Sequence, residues 1–209
     1  MVYRRSFAWI VIFLIVIFWI FAFRIHAQEL DLQNRDAFHM QAGIGRGFGA
    51  AFWVVGNVKT ETPRNTNLFF GVFRGDKDNW LEVMAQKQWN NKGGFWALDV
   101  RCKAQLTKRL SVFVEPTAFV TQPGFYHFVA VEYRTWKRLS LGGETENIHR
   151  PEGQPQQLNF GPRASVKFGS KWGVDYGAAV AYRFSLTGPN ELRAYASASR
   201  RFSLRRGRK

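Results

Sequence analysis

One cysteine, four histidines and no long apolar run beyond Phe23 are what this chain has least of, and each scarcity excludes something. A lone Cys102 rules out an internal disulfide framework and a cysteine metal cluster. His26, His39, His127 and His149 include no pair at ligand spacing, so no metal site and no cofactor is expected. Helical periodicity is missing after residue 36. Acidic side chains number 15 against 30 basic ones, a formal net charge of +15. Aromatic residues, by contrast, are abundant: 16% of the chain, with 20 Phe and 8 Trp. That content is common where side chains meet a lipid interface.

The apolar run that does occur is at the start. Arg4 and Arg5 precede Phe7 to Phe23, and Ile25-His26-Ala27 offers a small-residue cleavage site. Residues 1–27 therefore read as a secretory signal cleaved after Ala27, with an uncleaved membrane anchor as the competing reading. Without Arg4, Arg5 and Arg24 the charge is +12, and six of those charges sit in the last ten residues. Residues 28–37 read as a linker and 204–209 as a basic, solvated tail. Export makes nucleic acid an unsuitable partner for that tail.

Between these ends the pattern has period two. Trp96, Leu98, Val100, Cys102, Ala104 and Leu106 alternate with Ala97, Asp99, Arg101, Lys103 and Gln105. The same alternation recurs over 110–121, 157–168, 172–185 and 191–202, and more weakly over 67–74, 80–89, 125–136 and 138–146. Such runs, joined by turn residues, are strands in serial hairpins. They are about 8–14 residues long, nearer the 9–11 of a tilted bilayer-spanning strand than the 5–6 usual in globular proteins. The expected fold is all-β: an antiparallel up-and-down transmembrane barrel over residues 38–203, preceded by the N-terminal hydrophobic helix.

The polar face mixes small residues with charges of both signs, which suits a crowded lumen. Glu115, Arg163, Asp175 and Arg183, with Asp99 and Arg101, are the expected cross-lumen pairs. Alone in lipid each charge would be costly. Trp53, Trp89, Trp96, Trp172, Phe184 and Phe202 lie near strand ends and are expected at the lipid interface.

The stretch AGIGRGFGAAF, Ala42 to Phe52, imitates a phosphate-binding loop. No helix follows it, as a dinucleotide fingerprint requires. Its glycines at 43, 45, 47 and 49 share one face if 40–56 is a single strand, which makes ten strands in all. Splitting that strand at Gly47 makes eleven, and a miscounted weak strand makes eight or twelve. Bacterial barrels have even counts, so ten is expected.

Over residues 38–202 this pattern resembles small bacterial outer-membrane β-barrel proteins as a broad class. The resemblance implies the bacterial outer membrane as location, and membrane lipid, lipopolysaccharide and the barrel-assembly machinery as partners. Phe202, closing RAYASASRRF, is similar to the aromatic assembly signal of that class, although SLRRGRK follows it here. A structural or narrow-pore role, porin-like and anion-leaning, is the function this implies. The alternative is a secreted or anchored soluble barrel around an apolar ligand. A third reading is an outer-membrane hydrolase, for which His149 and Glu146 are the candidates; His127, followed by Phe128-Val129, does not match the His-x-Ser pattern of lipid A deacylases. No catalytic set is expected.

Overall fold

A computed structural model describes residues 30–59, 65–90, 93–151, 154, 156–171 and 173–203. The signal or anchor at 1–27, Trp172 and the tail 204–209 lie outside the described residues. Eleven strands form one closed barrel: β1 (Leu30–Gly45), β2 (Phe48–Lys59), β3 (Asn65–Gly75), β4 (Trp80–Asn90), β5 (Gly93–Gln105), β6 (Leu110–Phe119), β7 (Phe125–Arg134), β8 (Leu139–His149), β9 (Gln157–Lys171), β10 (Val174–Ser185) and β11 (Asn190–Ser203). Each pairs antiparallel with the next in sequence.

The wall is apolar outside and charged inside. Phe70, Leu98, Phe160 and Val180 are 46–51% exposed, whereas Glu82, Asp99 and Arg183 are 0% exposed. A soluble barrel around an apolar ligand needs the opposite arrangement. A bilayer suits this one, because closure satisfies every backbone group while lipid takes the place of water.

Ten strands become eleven at the glycine run. Gly45 pairs with Phe48, so Arg46 and Gly47 are a two-residue hairpin turn. Both have positive φ, 50° and 70°, as in the mirror-image turn whose twist matches its flanking strands. Gly43 and Gly49 face each other across that hairpin instead of lining one strand. The structure also moves the start of the barrel. Residues 30–37, expected as linker, are the first half of β1. Asn34 and Asp36 occupy outward positions there, polar because that end of the strand rises out of the apolar band.

An odd count has a geometric consequence. β1 and β11 run in the same direction, so the barrel closes through a parallel seam. The side chains report the register: Arg193 donates to Gln33, and Arg201 Nε donates to Gln41 Oε1 at 2.5 Å. Short turns at 46–47, 76–79, 106–109 and 135–138 close one end. The 76–79 turn is pinned by Asp76, whose carboxylate accepts from the Asp78 and Asn79 amides at 2.8 Å each. These bonds hold its pKa below the usual carboxylate value. The segments 120–124 and 186–189 belong to the opposite end.

Candidate functional site: the ion-paired lumen

Inward side chains converge in two groups. The first joins β1, β2, β4, β5 and β6. Glu82 accepts from Gln41 Nε2 at 2.6 Å and from Trp53 Nε1 at 2.7 Å, and bonds His39 Nε2 at 2.8 Å. The His39 ring stacks on Trp53, centroids 3.8 Å apart. Arg101 bridges Asp99 and Glu115 at 2.9 Å each, and Thr117 Oγ1 donates to the other oxygen of Asp99 at 2.7 Å. The guanidinium lies over two rings, 4.4 Å from Trp53 and 4.0 Å from Phe69. Buried charge is tolerable when each carboxylate oxygen has a donor and each cation a partner.

The second group joins β1 and β7 to β11. Arg163 reaches Glu132 at 2.9 Å and Glu144 at 2.6 Å. Arg183 reaches Glu144 at 2.5 Å, Glu146 directly and the Tyr195 hydroxyl at 2.6 Å. Glu146 is shared by Arg183, Arg193 and Arg35, and the Tyr126 hydroxyl donates to it at 2.7 Å. Three cations on one carboxylate, from the neighbouring strands β10, β11 and β1, tie β8 to the wall on both sides of the closing seam. Beside the first group β2 to β4 turn a small apolar cluster inward, Ala51, Val55, Phe69, Phe73 and Met84, with Trp53 packed against it.

The expected lumen residues divide as follows. Asp99, Arg101 and Glu115 lie together in the first group, and Arg163 and Arg183 in the second. Asp175 instead sits exposed near the start of β10. Among the interface aromatics, Trp89 and Trp96 face outward, 45% and 41% exposed. Phe70 packs edge-on to Trp96, and Lys87 Nζ lies 4.9 Å over the same ring. Phe184 lies beside outward Phe160, ring centroids 5.8 Å apart. Phe202 follows inward Arg201 on β11. Trp53 corrects the expectation: it points into the barrel, where its indole N–H serves Glu82. His149 and Glu146, the hydrolase candidates, lie on opposite faces of β8 and form no acid–base pair.

Sequence reasoning missed Arg35, His39, Gln41, Glu144, Tyr126 and Tyr195 as lumen groups. Period two on β7 and β8 carried the signal for two of them. Tyr126 alternates into register with Phe128, and Glu144 with Glu146. Arg35 was hidden by the misplaced start of the barrel.

No protein-family model matches this chain, and no curated protein does. A solved structure titled KdgM porin is similar to it with a TM-score of 0.49 and 12% identity, over 73% of this chain and 91% of that one. On its own geometry, this chain is a small closed β-barrel with an apolar outer wall.

Proposed function

We propose that the protein is an outer-membrane β-barrel of the bacterial envelope, a wall element with a narrow, anion-leaning passage constricted by its own ion pairs. The observation that carries this reading is the reversed polarity of the wall, with 0% exposed Glu82, Asp99 and Arg183 inside and half-exposed aliphatic and aromatic side chains outside. The β6–β7 and β8–β9 connections, each longer than any at the turn end, suit a barrel whose turns are periplasmic and whose loops face outward.

The lumen itself favours neither sign strongly. Arg35, Arg101, Arg163, Arg183, Arg193 and Arg201 stand among Glu82, Asp99, Glu115, Glu132, Glu144, Glu146 and Glu191. Selectivity is therefore set at the short-turn mouth. Lys77, Lys108, Arg109, Arg134, Lys137, Arg138, Lys167 and Arg200 are exposed there, against Asp76, Asp78 and Asp175. A basic rim raises the local concentration of anions at the entrance.

Planar-bilayer recording across a salt gradient tests this. The expected result is a small conductance whose reversal potential favours anions and moves toward cations in the Arg134→Glu/Lys167→Glu variant. A cation-preferring wild type, or a large ohmic conductance, contradicts the reading.

A further inference from the structure

The outer wall of β7, β8 and β9 carries a feature that a passage through the lumen does not use. Outward side chains there form rungs across the three strands. His127, Asn147 and Leu158 make one rung. The next toward the barrel's middle is Val129, Thr145 and Phe160, and the one beyond it Val131, Gly143 and Pro162. Successive rungs are about 7 Å apart, two residues of strand. Gly143 presents no side chain, and Thr145 turns its hydroxyl back to the Asn159 carbonyl at 2.8 Å. Those two rungs therefore sink into an open groove of about 460 Å³ between a valine ridge and the Phe160–Pro162 ridge.

On its loop side the groove ends in polar groups. Asn147 Nδ2 donates to His127 Nε2 at 2.8 Å, which leaves Nδ1–H as that ring's donor. His127 stacks on His149, centroids 5.2 Å apart and planes 15° apart, and Phe125 flanks His149. His149 and Arg150 are exposed. Two imidazoles on neighbouring rungs, with Arg150 exposed just past the end of β8, break an outward face that is otherwise aliphatic and aromatic. An apolar slot pointing toward the bilayer centre, with cationic and N–H donor groups at its interfacial end, has the polarity of a lipid lying along the wall. Each imidazole keeps an N–H for a phosphate oxygen in either protonation state, and arginine can offer two.

We propose that this wall binds a phosphorylated glycolipid of the loop-side leaflet, the lipid A part of lipopolysaccharide, with an acyl chain over Gly143 and Thr145 and a headgroup phosphate on His127, His149 and Arg150. The site rests on the outer-membrane reading, which makes the loop-side leaflet the lipopolysaccharide one.

The test uses full-length protein folded in detergent micelles, with folding checked by the mobility difference between boiled and unboiled samples. Native mass spectrometry then follows retention of lipid A, dephosphorylated lipid A and phosphatidylglycerol. Wild type is expected to hold one lipid A. Retention should fall by about tenfold in His127→Ala/His149→Ala, and comparably for the dephosphorylated lipid. Gly143→Phe should fill the groove and lower retention as well; an added Cβ there meets only the Gly161 carbonyl oxygen, at 3.4 Å. Should that variant not fold, Thr145→Leu takes its place. Equal retention by folded wild type and variants, or indifference to the phosphate, overturns the site alone. Preference for phosphatidylglycerol overturns the choice of lipid. A dimer that disappears in Gly143→Phe gives the wall to a second copy of the chain instead. A wild type with no mobility shift overturns the membrane-barrel reading and the site with it.

Discussion

Glu82 is fully buried in the lumen, and its two oxygens meet three side chains: His39, Gln41 and the indole of Trp53. A carboxylate removed from water this completely needs those bonds, since an unsatisfied buried charge is destabilising by several kcal/mol. Trp53→Phe keeps a ring against His39 and beneath Arg101 while deleting one N–H donor to a charged acceptor. The expected loss is about 1.5–3 kcal/mol, read as a lower urea midpoint for unfolding from micelles. An unchanged midpoint would mean that the indole does not serve the carboxylate. Position near a strand end suggested lipid for Trp53, as it does for Trp89 and Trp96, because tryptophan is amphipathic and suits either side. Charged residues are less ambiguous. Lipid forbids them, so Asp99, Arg101, Glu115, Arg163 and Arg183 could be placed inside from alternation alone. Which carboxylate meets which arginine depends on closure of the barrel, and no local pattern encodes that.

At the scale of elements, strands β5, β6, β9 and β10 were legible because their outward residues are apolar throughout the bilayer's thickness. β1 was half hidden, since Asn34 and Asp36 lie where its outward face leaves the apolar band. The β1–β2 turn was hidden for a different reason. Arg46-Gly47 lacks the Asn or Asp that usually marks this hairpin turn, and glycines on both sides continue the strand's spacing. Its backbone is the check. Gly47 at φ 70° lies near the Gly75 carbonyl oxygen, 3.2 Å from where a Cβ would stand. Gly47→Val is expected to destabilise the barrel by about 1–2 kcal/mol, the penalty of left-handed backbone for a residue with a Cβ. Arg46→Asn should cause no loss, because asparagine tolerates that conformation. If unfolding midpoints show Gly47→Val harmless, residues 40–56 are one strand after all.

The whole molecule is defined by closure, and closure through a parallel β1–β11 seam is the property that an even count would forbid. Arg193 beside Gln33 and Arg201 beside Gln41 rise together in sequence. In a Cys102→Ser background, cysteine pairs at 33 and 193 or at 41 and 201 should cross-link, whereas 33 with 201 and 41 with 193 should not. Cross-linking of the second set would mean antiparallel closure and an even barrel. The ion-paired lumen, the basic short-turn mouth and the lipid-facing wall all depend on one claim, that the apolar face looks outward into a bilayer. Single cysteines along β10 from 176 to 183, each carrying a fluorophore in reconstituted protein, test it most directly when lipids bearing a quencher are added. Quenching should alternate, strong at 176, 178, 180 and 182 and weak at 177, 179, 181 and 183. Strong quenching at the odd positions, or none at any, would contradict the account.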